Sequence, residues 1–395
     1  MPAASPLRLS LITCLFGLAA CPGGATSEST AEPASTGEPA STGSTTAAPT
    51  TTASPTTGDT TGASYGEPFS VTVLDRQWIT GTGGWDTQHR DVAFDLGPAP
   101  FAKVTLVVDL DTDCYPWEKW QTSPPPPGQN WPASCDAFDR TMGFVADPAA
   151  QPGDPPGFEL LRAITPFGGP QHLEEDITDW ANAHPGAHTL RSYINSWPDG
   201  AGLVSGSAGG WHLGVRLDVE PGPAPRDVLA VYSLFQGDYT VDTPPPQLPF
   251  TLPEGTASVE LSYIVTGHGG ANDVPGDCIG PAEEFCKRLH RLTLDGNSAG
   301  DFVPWRTDCV DLCTITDNPI DPGPSKFCLE NPCGAISSVQ APRANWCPGD
   351  RVRPVRGPVD TYLGPGPDHT FGFTIDDVVP GGLWTVSATV YAYGP

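Results

Sequence analysis

The sequence predicts an all-β protein whose body is built from antiparallel sandwiches or jelly rolls. Short apolar or alternating runs recur along the chain, bounded by Gly, Pro, Asp and Asn. No stretch longer than a turn or two has helical periodicity, and no helices alternate with the runs. Many short strands with frequent turn signals are typical of such an architecture. The runs are residues 69–74, 104–109, 143–146, 160–164, 188–194, 212–219, 228–234, 258–265, 288–294, 369–375 and 384–393.

The first twenty residues are predicted to be a lipoprotein signal peptide. One basic residue, Arg8, precedes an apolar run that is too short to span a bilayer as a mature helix. The run closes on small residues before Cys21, where a peptidase would cleave and leave the cysteine for acylation. Pro22 stands where an inner-membrane retention signal would place aspartate, so we expect an extracytoplasmic lipoprotein of the outer membrane. The alternative is an ordinary signal peptide with a coincidental cysteine.

Three further segments follow residues 1–20. Residues 21–66 comprise the lipidated cysteine and a disordered tether of Ser, Thr, Ala, Pro and Gly, which cannot bury enough apolar surface to fold. The remaining body is too long for one ordinary core and suits two domains. Residues 220–225 and 238–252 are both natural seams, and we place the boundary close to residue 228, which gives predicted domains of residues 67–227 and 228–395.

Composition and charge exclude several classes of function. With 46 acidic and 19 basic residues the formal net charge is −27, which argues against polyanionic partners, nucleic acid above all. No phosphate-binding loop, nucleotide fingerprint or Gly-x-Ser-x-Gly elbow is present. The 11 cysteines of an exported chain indicate disulfides. We expect a monomer that uses no cofactor and no metal.

The first candidate for chemistry is Asp139, which follows a pair of cysteines. Cys114 and Cys135 bracket a Pro-rich loop, and a bond between them would fix the point where the next strand begins. A carboxylate held there can act as a general base, a role that contributes about 10²- to 10⁴-fold in rate. The alternative is that Asp139 and Arg140 form a surface charge pair.

A second candidate region combines acidic residues with a small cysteine loop. Cys278 and Cys286 close a loop that contains Glu283 and Glu284. These adjacent carboxylates could work as acid and base, or could be two solvated charges. Upstream, His268 lies among three glycines, which either let a ligand approach the backbone or only make a turn.

The remaining cysteines lie close together near the C-terminus. Cys309 and Cys347 would close a loop worth roughly 3 to 4 kcal/mol in the chain-entropy model. Inside that loop the pairing of Cys313, Cys328 and Cys333 stays open. A zinc site is disfavoured because no Cys-x-x-Cys pair is present and the compartment is oxidising.

Taken in order, these pieces resemble the bacterial peptide-N-glycosidase F family, the amidases that remove Asn-linked glycans. The resemblance covers nearly the whole body from Phe69 onward. Any one of its motifs is weak, whereas seven in the same order are specific. The matching segments are CDAFDR at 135–140, ITPF at 164–167, DITD at 176–179, YINSW at 193–197, GHG at 267–269, AEEFCKRLH at 282–290 and APRANWCPG at 341–349.

The resemblance implies two side-by-side eight-stranded jelly rolls with an active site in the cleft between them. It implies that N-glycoproteins or glycopeptides are the substrates and that the glycan–asparagine amide bond is hydrolysed. Asp139 would orient water and sugar, Arg343 would stabilise developing charge, and Glu284 would hold sugar hydroxyls or steer proton transfer. The implied substrate-binding residues are Arg140, Asn195, Trp197, His268, Arg343 and Trp346. The implied disulfides are Cys114–Cys135, Cys278–Cys286 and Cys309–Cys347.

Three features depart from the family pattern. The family has a glutamate where this chain has Asn195, and an amide keeps hydrogen bonding but loses a charge and a proton acceptor. Phe138 replaces a tryptophan, and the insertion that carries Cys313, Cys328 and Cys333 is additional.

Two other functions therefore stay open. The first is a non-catalytic glycan- or protein-binding lipoprotein on the same scaffold, which the loss of the carboxylate at Asn195 would explain. The second is a copper monooxygenase, since those enzymes share the paired jelly-roll architecture. Copper ligation disfavours it, because the body has one methionine, Met142, and no His-x-His pair.

Overall fold

The structure, a computed structural model, describes residues 65–270, 278–318 and 326–395. Within it Gly66–Pro395 form one compact unit. The predicted signal peptide, the anchor at Cys21 and almost all of the tether lie outside the described residues. No helix in the described part of the chain is long and apolar enough to cross a membrane.

Eight strands in the first half form two four-stranded antiparallel sheets. They are β1 (Phe69–Thr80), β2 (His89–Asp95), β3 (Phe101–Asp111), β4 (Thr141–Ala146), β5 (Phe158–Ile164), β6 (Gln171–Asp176), β7 (Ala187–Ile194) and β8 (Gly210–Pro221). One sheet has the order β1-β8-β3-β6 and the other β2-β7-β4-β5. The helices between these strands are α1 (Trp85–Gln88), α2 (Lys119–Thr122) and α3 (Thr178–Ala183).

The second half repeats this arrangement, with sheets ordered β10-β17-β12-β13 and β16-β11-β18-β9. Its sheet strands are β9 (Val228–Tyr239), β10 (Gln247–Thr251), β11 (Ser258–Gly269), β12 (His290–Leu294), β13 (Asn297–Phe302), β16 (Val355–Pro358), β17 (Asp368–Ile375) and β18 (Gly382–Tyr393). A separate hairpin consists of β14 (Ile315–Asp317) and β15 (Lys326–Cys328), and one helix, α4, spans Ile336–Val339. Short 3-10 helices lie at Glu283–Phe285, Cys309–Leu312 and Asp360–Tyr362.

Each pair of sheets encloses its own hydrophobic core. The residues that each core takes from β8 and β18 alternate along the strand, because successive side chains of a strand face opposite sides of the sheet. The first core takes from β8 the residues Trp211, Leu213, Val215, Leu217 and Val219. The second takes from β18 the residues Trp384, Val386, Ala388 and Val390. The predicted all-β fold of two jelly-roll-like sandwiches is confirmed.

The two sandwiches meet across a buried ion pair. The Arg162 side chain is 1% exposed, and its Nε and Nη2 donate to the Glu159 carboxylate at 2.8 and 2.5 Å. Its Nη1 crosses to the second sandwich, where it donates to Thr266 Oγ1 at 3.2 Å and the Thr385 carbonyl at 2.6 Å. Strand residues three apart normally face opposite sides, but an irregularity in β5 at Leu160 turns both charged residues the same way.

The structure contains the three disulfides that the resemblance implies, which are Cys114–Cys135, Cys278–Cys286 and Cys309–Cys347. The pairing that the sequence left open is also decided, since Cys313 bonds to Cys328 at the base of the β14–β15 hairpin. The Cys333 sulfur lies within 4.8 Å of the sulfurs of Cys114 and Cys135.

Candidate active site

The candidate site is centred on Arg343, in the loop that follows α4. Its backbone exchanges two hydrogen bonds with Arg306, at 2.8 and 3.1 Å. The next residue, Ala344, donates its N–H to the Glu284 carbonyl at 2.8 Å. The loop that carries Arg343 is therefore tied to the 3-10 turn that carries Glu284, although neither residue lies in a regular strand.

Two carboxylates, one from each sandwich, flank the Arg343 guanidinium. Asp139 Oδ2 lies 3.7 Å from Nη2, and Glu284 Oε1 lies 3.9 Å from Nη1. Both distances exceed that of a hydrogen bond. Arg343 is 1% exposed, yet its Nε and Nη1 have no hydrogen-bond partner among the described residues. Buried donors without a partner are rare in native structures, so this guanidinium has bonding capacity left for another group.

The rest of the guanidinium is held in place from behind. Arg343 Nη2 donates to the carbonyl and to Oγ of Ser338, at 2.9 and 3.2 Å. The rings of Phe285 and Trp346 contact the guanidinium, with their centroids 4.8 and 4.7 Å from Cζ. Trp346 is itself buried, and its indole N–H donates to the Gly267 carbonyl at 3.0 Å. These contacts fix the direction in which the unbonded atoms of Arg343 point.

Asp139 is positioned by hydrogen bonds on both sides of it in the chain. The Arg140 N–H donates to Thr165 Oγ1 at 2.8 Å, and the Thr165 N–H donates to the Arg140 carbonyl at 2.8 Å. The Thr165 hydroxyl in turn donates to the Phe138 carbonyl at 3.3 Å. The backbone at Asp139 is therefore clamped to the start of the segment that follows β5.

The predicted residues Arg140 and Trp197 form a neighbouring group. Arg140 pairs with the buried carboxylate of Asp136, with Nε and Nη2 contacts between 2.9 and 3.1 Å. Its Nη2 also donates to the Trp197 carbonyl at 2.9 Å. Asp136 accepts a further hydrogen bond from Ser196 Oγ at 2.5 Å. Arg140 therefore holds the segment that presents the Trp197 ring, which is 65% exposed.

The surroundings of the two carboxylates favour their protonated forms. Burial raises the pKa of Glu284 to about 7, with Asp139 adding to the rise and Arg343 opposing it. Burial likewise raises the pKa of Asp139 above its ordinary value, against the opposite influence of Arg343 and Arg140. Two close carboxylates in such a place do not ionise together readily, so one can serve as a base while the other still carries a proton.

The adjacent residues Glu283 and Glu284, of which the resemblance selected only Glu284, have different environments. Glu283 is fully buried and accepts hydrogen bonds from Arg288 at 2.6 and 3.1 Å. The indole N–H of Trp384 donates to the same carboxylate at 3.0 Å. Glu283 is therefore fully paired inside the second sandwich, whereas Glu284 faces Arg343 and Asp139.

His268 links the site to the seam between the sandwiches. Its Nε2 lies 2.8 Å from Thr266 Oγ1, the hydroxyl that also receives the Arg162 hydrogen bond. Its ring stacks on Trp346 with centroids 5.5 Å apart. Burial, assisted by the positive charges of Arg162 and Arg343, lowers the pKa of His268 to about 3. The imidazole is therefore neutral at physiological pH.

Asn195 lies one residue beyond β7 and is half-buried. Its N–H donates to the Thr141 carbonyl at 2.9 Å. Among the described residues, no hydrogen bond or ion pair joins its side chain to Asp139, Glu284 or Arg343. The structure thus brings those three together and leaves Asn195 outside their direct contacts.

Sequence reasoning missed several residues that support the site, namely Thr165, Ser338, Phe285, Arg162 and Thr266. Three of these have a signal in the sequence, since Thr165 and Phe285 lie in the matching segments at 164–167 and 282–290 and Arg162 stands out by its charge. Arg162 is a charged residue within the apolar run of β5, and charged residues are rarely buried unless they are paired. The others act through local hydrogen bonds and contacts that follow from the fold.

Residues 238–391 match the family model for the C-terminal domain of peptide-N-glycosidase F. Over this part of its length the chain is similar to that family. The matched segment contains Glu284, His268 and Arg343, and so includes one side of the candidate site. The chain's sequence matches none of the curated proteins.

Solved structures of peptide-N-glycosidases share the fold. A structure of PNGF-II has a TM-score of 0.58 and 18% identity, and the match covers 83% of this chain and 66% of that one. PNGase F from Flavobacterium meningosepticum, a glycosylasparaginase, has a TM-score of 0.57 and 18% identity, with 83% of this chain and 96% of that one covered. A peptide-N(4)-(N-acetyl-β-D-glucosaminyl) asparagine amidase gives the same values. The chain thus spans about two thirds of PNGF-II and nearly all of PNGase F.

Proposed function

We propose that this peptide-N-glycosidase F-like protein hydrolyses the amide bond between glycan and asparagine in N-glycoproteins. The observation that carries the proposal is the buried, incompletely bonded guanidinium of Arg343, set between Asp139 and Glu284 from opposite sandwiches. Hydrolysis of an amide needs a base for water, donors for the developing oxyanion and a proton for the leaving nitrogen. This group of three residues can supply each of them.

In the proposed reaction Asp139 accepts a proton from water while the water oxygen bonds to the carbonyl carbon of the asparagine side chain. The free N–H groups of Arg343 stabilise the negative charge that develops on the carbonyl oxygen. The carbon–nitrogen bond then breaks, and Glu284, which begins protonated with its pKa near 7, donates its proton to the nitrogen of the departing glycosylamine. The asparagine becomes aspartate, and the oxygen that it gains comes from water.

The test is to incubate the protein, produced in an oxidising host, with a denatured N-glycoprotein in heavy-oxygen water. Free glycan together with heavy oxygen in a new aspartate is the expected result, and an Asp139→Ala variant should give neither. A well-folded preparation that leaves a high-mannose glycoprotein untouched at every pH tried would refute the proposal.

A second candidate function is glycan or protein binding without catalysis. Asn195 favours it, because the family has a carboxylate at this position. This function predicts that glycans bind with no conversion of asparagine to aspartate. A glycan array with no bound protein would eliminate the glycan-binding form of it.

We also propose that the enzyme is anchored to the outer membrane through lipidated Cys21. Several acyl chains on one cysteine would hold the body at the membrane essentially permanently. Radiolabelled palmitate should enter the wild-type protein and be absent from a Cys21→Ala variant. No label in the wild type would indicate an ordinary signal peptide.

A further inference from the structure

Two tryptophans of this chain are exposed, and neither packs into a core. The sequence has 11 tryptophans, all of them in the described part of the chain. Trp85 and Trp197 are 46% and 65% exposed, and the other tryptophans are buried or half-buried. Trp197 belongs to the group around Arg140 described above. Trp85 has no part in the proposed mechanism.

Trp85 is nevertheless tied to the same stretch of backbone as Trp197. It begins α1, in the loop between β1 and β2. At one end of this loop, Gly81 lies so close to Ser196 that a Cβ atom at Gly81 would be 1.9 Å from the Ser196 carbonyl oxygen. At the other end, Gln88 Nε2 donates to that same oxygen at 2.7 Å. The loop that carries Trp85 is therefore fixed to Ser196, the residue that precedes Trp197 in the chain.

The Trp85 ring is held in a fixed orientation. It stacks on the His89 ring, with centroids 4.5 Å apart and planes inclined by 21°. His89 Nδ1 also lies 2.6 Å from the Trp85 carbonyl, and the Tyr193 ring is 5.9 Å away. Nearly half of the Trp85 surface remains open to solvent. A rigid aromatic surface of this kind binds a ligand with little loss of conformational entropy.

The arginine that lies beside this surface is already paired. Arg191 has its guanidinium 5.9 Å from the Trp85 ring and forms two hydrogen bonds with Asp91, at 2.8 and 2.7 Å. The chain as a whole is strongly acidic, with a net charge of −27. Both features favour a neutral ligand over an anionic one.

We propose that Trp85 is a binding platform for a neutral sugar in the outer part of the glycan, beyond the sugars held near Trp197. The inference rests on the proposed function. The C–H groups on one face of a hexose pack against an indole ring, while the sugar hydroxyls stay hydrated. Trp85 thus selects for extended, uncharged glycans and takes no part in the chemical step.

The test compares two substrates on the same peptide, one carrying a complete high-mannose glycan and one carrying only the two core N-acetylglucosamines. Trp85→Ala should lower kcat/KM about tenfold on the complete glycan, through KM, and leave the short substrate unchanged. Phe69→Ala is the matched control, because Phe69 is 40% exposed and lies at the opposite end of β1. This control should change neither value.

If Trp85→Ala lowers kcat/KM equally on both substrates, or on neither, the proposed binding platform is refuted. If the wild type cleaves neither substrate, the proposed amidase fails, and the platform is judged by binding alone. Binding of free high-mannose oligosaccharide, followed by tryptophan fluorescence, should then weaken about tenfold in Trp85→Ala. Equal binding by wild type and variant, or no binding by either, would also contradict the platform.

Discussion

Arg162 and Arg343 are equally buried, each with a side chain that is 1% exposed, but they are bonded in opposite ways. Arg162 donates hydrogen bonds to the Glu159 carboxylate within its own sandwich. Its Nη1 donates to Thr266 and Thr385 in the second sandwich. Arg343 has carboxylates only at 3.7 and 3.9 Å. Its Nε and Nη1 have no partner among the described residues.

The difference separates an arginine whose donors are all used within the protein from one that has donors left for a ligand. A buried pair whose hydrogen bonds are all made joins two surfaces and offers nothing to a ligand. A buried guanidinium with free donors is costly in the empty protein, and a substrate oxygen can remove that cost. The comparison predicts that the same substitution at the two arginines has opposite consequences.

The largest expected effect is on stability, at Arg162. Arg162→Met leaves the Glu159 carboxylate buried and unpaired at the seam, so the free energy of unfolding should fall by about 3 to 5 kcal/mol. Urea unfolding measures this. A second variant that also replaces Glu159 by Leu should recover much of the loss, because it removes the unpaired charge. Single and double variants of equal stability would show that this pair does not hold the seam.

Arg343→Met should damage turnover instead. Without the guanidinium the developing oxyanion loses its donors, and kcat on a glycopeptide should fall about 10²- to 10³-fold. The free energy of unfolding should change by less than about 1 kcal/mol, since Asp139 and Glu284 are partly exposed and can take up protons. A variant that is as unstable as Arg162→Met would place Arg343 among the structural residues.

Glu284 should make stability depend on pH. Its folded-state pKa of about 7 is above its ordinary 4.5, so the folded protein holds this proton more tightly than the unfolded chain. The resulting stability is present below pH 4.5 and is lost as pH rises through 7, by up to about 3 kcal/mol. Glu284→Gln should remove this loss. The stability of the variant relative to the wild type should therefore be higher at pH 8 than at pH 4.

Urea unfolding at pH 4 and pH 8 measures the free energy of unfolding of the wild type and of Glu284→Gln. Glu283→Gln is the matched control, because it leaves buried Arg288 without its charge partner and should destabilise the protein at both pH values. A wild type and a Glu284→Gln variant with parallel pH profiles would contradict the raised pKa.

The smallest expected effect is an increase in kcat, at Asn195. Asn195→Glu restores the carboxylate of the family pattern at a half-buried position. If the amidase works slowly for want of this group, kcat should rise on the order of tenfold, equivalent to about 1.4 kcal/mol in the barrier. Glycan release per unit time measures it, with Asn195→Gln as a control that should stay at the wild-type rate. A glutamate variant that is no faster than the glutamine variant would show that the missing charge does not limit the proposed reaction.

The sequence predicted the interior of the sheets better than their edges. The runs that it identified include every strand with neighbours on both sides in the four main sheets. The main-sheet strands that it missed, β2, β6, β10, β13 and β16, all lie at an edge. Edge strands bury fewer side chains, so their sequences show a weaker alternation of apolar and polar residues. In β13, for example, no residue is buried. β10 even contains Pro249, which an edge tolerates because one side of the strand has no partner.

The site was predictable only in part. Asp139, Glu284 and Arg343 came from motifs, and the structure brings them together although they lie far apart in the chain. Only the family resemblance selected Glu284 over Glu283, because their difference in the structure depends on which one Arg288 and Trp384 reach. The partnership of Glu159 with Arg162 depends on the irregularity at Leu160, which has no signal in the sequence.

The most direct test of the Arg343 account is the thermal shift caused by a peptide with two N-acetylglucosamines on asparagine. It compares two chains that both carry Asp139→Asn to stop turnover, one with Arg343 and one with Arg343→Met. A ligand at about 100 times its Kd adds about 2.7 kcal/mol, so Tm should rise by several degrees in the chain that keeps Arg343. The methionine chain should show little shift at the same ligand concentration. Equal shifts in the two chains would mean that the free donors of Arg343 do not bind substrate, and the account would be wrong.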